Sequence, residues 1–130
     1  IAQAFVETGI SKSIGEQLTV LSGLHPLLII VFVTLAVIFL TEITSNTAIT
    51  ILLMPILGPA GLAAGIDPAL LMVPAAMAAS YGFMMPVGTP PNAIVFGTGM
   101  IPMASMAREG FVLNFIGAAV ITLVCYWLIA

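Results

Sequence analysis

The sequence predicts an all-α membrane protein that contains a re-entrant helical hairpin, a discontinuous transmembrane helix and a spanning helix. The composition indicates this class, because 62% of the 130 residues are hydrophobic, 5% are charged and the mean hydropathy is +1.29. Two polar or proline-rich interruptions, at residues 45–47 and 86–92, divide long apolar runs. With a formal net charge of −3 and only two basic residues, the chain lacks the clustered cations that nucleic acid binding requires.

Residues 1–24 alternate apolar and polar positions at helical spacing, which predicts an amphipathic helical segment at the membrane interface. His25-Pro26 follows, and proline is favoured in the first turn of a helix. We expect His25 to be an interfacial residue at this helix start; a proton relay is the alternative. The chain opens on Ile1 and has room for about three or four membrane-embedded segments, so we expect a piece of a longer protein.

A re-entrant hairpin is predicted for residues 25–61, with its tip at residues 45–47. Residues 26–40 form an uncharged apolar run, and residues 48–57 form a second one. At about 1.5 Å per residue, a second helix of about 10 to 13 residues covers only about 15 to 20 Å, against a hydrocarbon core of about 30 Å. The chain is therefore expected to return to the side from which it came.

The predicted tip carries polar side chains. A chain that turns inside the membrane leaves backbone groups that protein, ion or ligand must satisfy. Ser45, Asn46 and Thr47 are predicted to bond to local backbone and to cap a helix that starts near Ala48. Glu42 precedes them, and an intramembrane carboxylate is costly unless it is paired, protonated or beside water. We expect Glu42 to stabilise a cation site or the tip backbone; the alternative is that it carries a coupled proton.

A discontinuous transmembrane helix is predicted for residues 67–100. Asp67-Pro68 is typical of an N-cap followed by proline at the first helical position. The helix that follows is expected to run to about Met85 and to stop at residues 86–92, because three prolines and a glycine cannot continue an α-helix.

The remaining segments are a loop and a final helix. Residues 58–66 contain three glycines and a proline, which predicts a surface loop between the hairpin and the discontinuous helix. Residues 101–130 are predicted to form a connector and the final transmembrane helix, which spans from about residue 111. Tyr126 and Trp127 near its end are expected to be interfacial anchors.

Taken together, the two interruptions predict a binding site for an ion and an anion. At each one a helix ends, exposing carbonyl groups, and another begins, exposing N–H groups. The carbonyls of Thr44 and Gly88 and the side-chain oxygen of Asn46 suit Na⁺. Helix N-termini suit a carboxylate without a buried cation, and the hydroxyls of Thr47 and Thr89 would face it. Each interruption alone also fits a helix cap or a proline kink that binds nothing.

Two motifs in these regions resemble the second half of the divalent anion:sodium symporters. The first is Thr-Glu-Ile-Thr-Ser-Asn-Thr-Ala at residues 41–48, and the second is Met-Pro-Val-Gly-Thr-Pro-Pro-Asn-Ala-Ile-Val-Phe at residues 85–96. Their combination is specific, and the resemblance covers nearly the whole chain. It implies the C-terminal one of two inverted repeats, each with a hairpin and a broken helix, in a transporter that works as an elevator.

The resemblance implies Na⁺-coupled transport of C4-dicarboxylates such as succinate, or of citrate, rather than an enzyme activity. The transporter would be a homodimer with several spans in a bacterial inner membrane or plasma membrane, and its N-terminal repeat would complete the architecture. The alternatives are a proton-coupled carboxylate transporter that uses Glu42, and a passive ion channel whose carbonyl-lined breaks act as a filter. An intramembrane hydrolase would need a nucleophile–base pair or a metal cluster, whereas the sequence offers one histidine, His25 at an edge, and one cysteine, Cys125, far along the chain.

Site residues follow from the same resemblance. The backbone oxygens implied to bind a Na⁺ ion are those of Thr41, Thr44, Gly88 and Pro90. The side chain of Asn46 would complete this cation site, and Ser45 would support it. The residues implied to lie at a substrate carboxylate are Asn46, Thr47, Thr89 and Pro90. Some members of the family carry alanine at the position of Gly88, an exchange that keeps the carbonyl ligand.

Overall fold

The computed structural model describes residue 23 and residues 25–130, and this part of the chain is helical with no strand. Its helices, in chain order, are α1 (Pro26–Thr41), α2 (Asn46–Ala63), α3 (Ala69–Ala78), α4 (Pro90–Gly97) and α5 (Met103–Ile129). The predicted all-α class is thereby confirmed. The amphipathic segment predicted for residues 1–24 lies, apart from Gly23, outside the described residues.

The core of the fold is formed by α1, α3 and α5, each of which contacts the other two, and α2 packs against α3 and touches α1. The ring of His25 lies 5.9 Å from that of Tyr126, and the ring of Phe39 lies 6.0 Å from that of Phe115, measured between centroids. These pairs show that α1 and α5 run antiparallel. Buried side chains in this core include those of Ile30, Val37, Ile38, Leu71 and Ala75.

Two helix starts follow the capping pattern predicted from the sequence. Pro26 is the first residue of α1, and Nδ1 of His25 accepts a hydrogen bond from the backbone N–H of Leu27 at 3.3 Å. Oδ1 of Asp67 accepts one from the N–H of Ala69 at 2.9 Å, directly before α3. His25 therefore serves as a helix cap at an exposed position.

The second helix is longer than predicted and passes through the segment that the sequence assigns to a loop. α2 contains 18 residues, about 27 Å, and includes Pro55 and Pro59. The reason is packing: a Cβ at Gly58 would lie 3.4 Å from Sδ of Met72, and one at Gly61 would lie 3.0 Å from Cα of Pro68. The glycines thus let α2 approach α3 closely. The loop prediction is wrong for residues 58–63, and the short second helix is wrong too.

The interruption after α3 is also longer than predicted. α3 ends at Ala78, not near Met85, and the chain stays non-helical until α4 begins at Pro90. Pro90 and Pro91 occupy the first turn of α4, where a missing N–H costs nothing, so these prolines start a helix instead of ending one. We call residues 42–45, between α1 and α2, the first break, and residues 79–89 the second break.

The final helix begins earlier than predicted. α5 has 27 residues, about 40 Å, and it starts at Met103, which shortens the connector to residues 98–102. Asn46–Ala63 and Met103–Ile129 are long and apolar enough to cross a membrane. The large apolar side chains that α5 leaves exposed include Phe111, Val112, Ile116, Val120, Leu123 and Trp127. Such a surface suits lipid or apolar protein as its neighbour.

Candidate functional site: two helix breaks joined by Glu42

The first break is a short turn with a buried beginning and an exposed middle. Thr41 ends α1, is fully buried, and donates its hydroxyl to the carbonyl of Ile38 at 2.9 Å. The N–H of Ile43 donates to the carbonyl of Leu40 at 3.4 Å, which closes the last turn of α1. Thr44 and Ser45 are exposed. The turn therefore satisfies part of its own backbone locally and leaves its polar side chains accessible.

Ser45 stands at the N-cap of α2 but does not cap it through its side chain. Its backbone is extended, with φ −61° and ψ 130°, and its hydroxyl makes no capping hydrogen bond to a described residue. The helix begins at Asn46, two residues before the predicted start, and the N–H of Ile49 bonds to the carbonyl of Ser45 at 3.0 Å. The predicted side-chain cap at Ser45 is wrong, since the backbone alone closes this turn.

Asn46 supplies a buried oxygen without a donor. Its Oδ1 is inaccessible to solvent and has no hydrogen-bond partner within the described part of the chain. Burying such an acceptor unpaired costs about 1–3 kcal/mol, and a bound cation or an added donor removes the cost. Thr47, in the first turn of the same helix, is exposed. Asn46, the first residue of α2, is thus the side chain next to the first break that is best suited to ligate a hard cation.

Glu42 joins the first break to the second. It is 4% exposed, and its Oε1 accepts from the N–H of Met84 at 3.0 Å while its Oε2 accepts from the N–H of Met85 at 2.9 Å. The amide nitrogen of Asn114 donates to Oε1 at 2.7 Å. All three partners are N–H donors, which suits an ionised carboxylate that can only accept. Glu42 does not hold the tip backbone, which was one of its two expected roles, because the N–H groups that it accepts from belong to the second break.

Two glycines make room for this carboxylate. A Cβ at Gly88 would lie 2.9 Å from Oε2 of Glu42, and a Cβ at Gly82 would lie 3.4 Å from its Cδ. Gly88 is buried, and its N–H donates to the carbonyl of Met85 at 3.1 Å. Gly88 therefore lies directly against Glu42, so the two breaks are in contact with each other.

Asn92 secures the carbonyl groups of the second break. Its amide nitrogen donates to the carbonyl of Gly82 at 2.8 Å and to that of Met85 at 3.1 Å. Its own N–H donates to Oγ1 of Thr89 at 3.4 Å, so Thr89 caps α4. Thr89 is partly buried, and Pro90 beside it is exposed. Sequence reasoning assigned Asn92 no role, although it stands in the proline motif as the first polar residue of the new helix.

Asn114 is a second residue that sequence reasoning missed. It is fully buried in α5, donates to Glu42, and accepts from the N–H of Phe83 at 3.3 Å through Oδ1. The signal was present, because Asn114 is the one amide side chain in the apolar run of residues 111–130. Polar residues within such a run face protein more often than lipid.

The charges around the site are few. Arg108, the one lysine or arginine among the described residues, is exposed and lies 3.3 Å from the carboxylate of its neighbour Glu109. Those residues also contain no group of three or more His, Cys, Asp or Glu side chains that could hold a metal ion together. Near the breaks the structure has the buried carboxylate of Glu42 and the buried amide oxygen of Asn46, and oxygen groups of this kind suit Na⁺ better than a transition metal.

Comparison with known proteins identifies the family. The profile described as the sodium:sulfate symporter transmembrane region matches residues 1–130. The chain belongs to this family. Two symporter relatives carry the name sodium-dependent dicarboxylate transporter SdcS. The one from Staphylococcus saprophyticus is 50% identical over 129 residues, covering 99% of this chain and 25% of the relative. The one from Staphylococcus aureus is 50% identical over 128 residues, covering 98% and 25%.

Membership of the symporter family confirms the resemblance that the two motifs predict. Both relatives are named as transporters, in agreement with the prediction that the chain is not an enzyme. The chain spans about a quarter of the length of the curated relatives it matches.

Proposed function

We propose that the chain is part of a sodium-coupled secondary transporter of C4-dicarboxylates and that it contributes a Na⁺ site between its two breaks. The observation that supports this most strongly is the contact between the breaks through Glu42, together with Oδ1 of Asn46, which lies at the start of α2 and is buried without a partner among the described residues. The two relatives that are 50% identical to the chain are named sodium-dependent dicarboxylate transporters. Citrate is the second substrate to test.

In this proposal the Na⁺ ion is bound by oxygens from both breaks. The backbone oxygens are those of Thr41, Thr44, Gly88 and Pro90. Oδ1 of Asn46 completes the set, with Ser45 in support, and binding there relieves its unpaired burial. The negative charge of Glu42 lies against Gly88 and so favours a cation in the same region.

The substrate carboxylate binds at the starts of the two helices that follow the breaks. There the exposed N–H groups and the positive end of the helix dipole favour an anion. The residues placed at it are Asn46, Thr47, Thr89 and Pro90. The exposed hydroxyl of Thr47 is free to turn toward a ligand, whereas the hydroxyl of Thr89 already accepts from Asn92 and retains its own proton as a donor.

We also propose that α1, the first break and α2 form a re-entrant hairpin in a multi-pass cell-membrane protein, which works as a homodimeric elevator with the N-terminal repeat. The length of α1, 16 residues or about 24 Å, supports a helix that stops short of crossing the bilayer. The polar turn between two apolar helices supports it as well. The length of α2 does not argue for it, so the hairpin rests on α1 and the turn.

The proton-coupled alternative is weaker than the Na⁺-coupled one. A proton on Glu42 would need an acceptor, whereas the hydrogen-bond partners of its oxygens among the described residues are three N–H donors. No contact among residues 25–130 favours a passive channel, and a flux experiment separates that alternative.

The test is uptake of radiolabelled succinate by the full-length protein in proteoliposomes, with an inward gradient of Na⁺, K⁺ or protons. We expect uptake that saturates, requires Na⁺ and is competed by other C4-dicarboxylates, with citrate compared directly. Uptake that follows the proton gradient without Na⁺, or a conductance that does not saturate, would overturn the proposal.

Asn46→Ala tests the cation site itself. Because Oδ1 has no hydrogen-bond partner among the described residues, its removal should not lower the melting temperature measured without Na⁺. The stabilisation produced by Na⁺ should disappear together with uptake. Thr47→Ala should abolish uptake and keep the stabilisation by Na⁺. The matched control is Thr34→Val, which removes another buried oxygen that has no partner among the described residues and lies outside the site. It should leave both the stabilisation by Na⁺ and the uptake unchanged.

A further inference from the structure

We propose that Asn114, on the final helix α5, is a positioning residue that sets the Na⁺ affinity of the site by holding Glu42 and the second break in register. This inference rests on the function proposed above and adds a third element to the site. Neither motif contains Asn114, and the sequence places it in what reads as an ordinary spanning helix.

Both polar atoms of the Asn114 side-chain amide make hydrogen bonds. Its nitrogen donates to Oε1 of Glu42 at 2.7 Å, across 72 positions of sequence, and its oxygen accepts from the N–H of Phe83 at 3.3 Å. The opposite orientation would turn two donors toward each other at Phe83 and two acceptors toward each other at Glu42. The amide is therefore locked in one orientation, and it ties α5 to both breaks.

The face of α5 around Asn114 is shaped to receive the second break. Gly110 lies four residues before it and Gly117 three residues after it, so all three share one side of the helix. A Cβ at Gly110 would lie 2.7 Å from Cα of Met84, and one at Gly117 would overlap the ring of Tyr81. The two glycines thus leave space for the non-helical chain of the second break, and the side-chain amide of Asn114 between them binds it.

The contacts form one continuous path to the proposed cation ligands. Asn114 fixes Glu42, Glu42 fixes the N–H groups of Met84 and Met85, and Oε2 of Glu42 lies against Gly88. If Asn114 is removed, the carboxylate can rotate and the carbonyl of Gly88 can shift relative to Asn46. A displacement of about 0.5 Å is enough to impair a bound site, because ligand geometry must be held closely.

The hydroxyls of Thr47 and Thr89, two of the groups proposed to hold the substrate, make no hydrogen bond to Asn114 or Glu42 within the described part of the chain. Asn46 and Pro90 belong to both proposed sites, and bound Na⁺ holds them in place when Na⁺ is saturating. Thr47 is exposed at the start of α2, and Thr89 is fixed by Asn92 and not by Asn114. Loss of the Asn114 amide should therefore weaken Na⁺ binding and leave substrate binding at saturating Na⁺ close to wild type. A residue that only stabilised the fold would lower all activities together.

Thr122 provides a matched control on the same helix. Like Asn114 it is a fully buried polar residue of α5, but its hydroxyl has no hydrogen-bond partner in the described part of the chain. Thr122→Val keeps the shape and removes only that hydroxyl, so it should change neither the Na⁺ dependence nor the substrate dependence.

The experiment measures succinate uptake by the full-length protein in proteoliposomes as a function of Na⁺ and of succinate. We expect Asn114→Leu to raise the Na⁺ concentration for half-maximal uptake about tenfold, the size expected for a lost hydrogen bond to a charged group. The maximal rate and the succinate dependence at saturating Na⁺ should stay within about twofold. The Na⁺ dependence of the melting temperature of the purified protein should shift by the same factor.

A pair of further variants keeps the test decisive if Asn114→Leu does not fold. Asn114→Asp keeps the acceptor for Phe83 but places a second carboxylate against Oε1 of Glu42. The repulsion should push Glu42 away from the N–H groups of Met84 and Met85, and this displacement should weaken Na⁺ stabilisation strongly. Adding Glu42→Gln restores a donor–acceptor pair with one negative charge, and the double variant should recover part of the Na⁺ stabilisation lost in Asn114→Asp.

The outcomes separate this inference from the function on which it rests. If the wild-type protein shows no Na⁺-dependent uptake, the proposed function fails. If the wild type depends on Na⁺ but Asn114→Leu has the Na⁺ dependence of Thr122→Val, the Asn114 inference alone is overturned. It is also overturned if Asn114→Leu changes the succinate dependence as much as the Na⁺ dependence, or if the double variant recovers nothing.

Discussion

The two breaks satisfy the hydrogen-bonding groups of their backbone in opposite ways. The first break is four residues long, closes its backbone locally, and sends Glu42 away to another part of the molecule. The second break is eleven residues long and takes side chains from elsewhere: Glu42 and Asn114 accept from its N–H groups, and Asn92 donates to its carbonyls. The first break thus supplies a side chain, that of Glu42, and the second break supplies the backbone N–H groups to which it bonds.

This difference follows from the cost of unpaired backbone in an apolar environment. A tight turn between helices leaves few groups unpaired, whereas an extended segment leaves several, each costing about 1–3 kcal/mol when buried without a partner. The second break can therefore exist only where polar side chains converge on it. Its length and its position are set by Glu42, Asn92 and Asn114, and a change in any of them should affect the second break more than the first.

The largest effect is expected for Glu42→Ala. It removes the acceptor of three N–H groups at once, on Met84, Met85 and Asn114, and should destabilise the protein by more than about 3 kcal/mol. The measurement is the melting temperature and the monodisperse yield of the full-length protein in detergent. Glu42→Gln, which keeps one oxygen, should lie between Glu42→Ala and wild type.

The control for that variant is Glu109→Ala. Glu109 is exposed, and its ion pair with the adjacent Arg108 is open to solvent, so its loss should change stability by less than about 1 kcal/mol. Equal melting temperatures for Glu42→Ala and Glu109→Ala would show that the second break does not depend on the first.

An intermediate effect is expected for Gly110→Ala, which places a methyl group where α5 contacts the backbone of the second break. The added methyl would overlap the backbone of Phe83, and forcing such a group into a packed site costs about 1–3 kcal/mol. Gly97→Ala, at the end of α4, meets no described atom within 4 Å and should change stability by about 0.5 kcal/mol or less. A melting temperature for Gly110→Ala at or above that of Gly97→Ala would mean that α5 does not seat the second break.

The smallest effect is expected at the N-caps of α2 and α4, the helices that follow the two breaks. Thr89→Ala removes a capping hydrogen bond to the N–H of Asn92 and should cost about 1 kcal/mol. Ser45→Ala removes a hydroxyl that makes no capping bond to a described residue, so it should cost about half as much or less. Stability is measured without Na⁺ and dicarboxylate so that binding does not contribute, and Thr89→Ser should behave as wild type. A cost for Ser45→Ala that equals that of Thr89→Ala would contradict the comparison.

Local chemistry explains what could be predicted from the sequence. The all-α class, the helix starts at His25-Pro26 and Asp67-Pro68, and the presence of two breaks all depend on residues within a few positions of each other. The family could be recognised for the same reason, because its two motifs are contiguous. The cation and substrate ligands were drawn from those motifs and stay proposals.

Errors arose where distant contacts override local preference. Gly58 and Gly61 read as a loop, but they bring α2 against α3, and the helix continues. The sequence predicts that residues 79–85 continue the helix, yet the helix ends at Ala78, and the N–H groups of Phe83, Met84 and Met85 bond to Asn114 and Glu42 instead of to helix carbonyls. A hydrogen bond between groups some forty or seventy positions apart leaves no local pattern.

The sequence by itself determined that this chain is helical and apolar, where its helices are interrupted, and to which family it belongs, since proline, glycine and capping residues act on their immediate neighbours. The tertiary structure alone decided how far each interruption extends and that Glu42 and Asn114 hold the second one. The reason is that a buried N–H group must find an acceptor, and folding determines which side chain comes within reach.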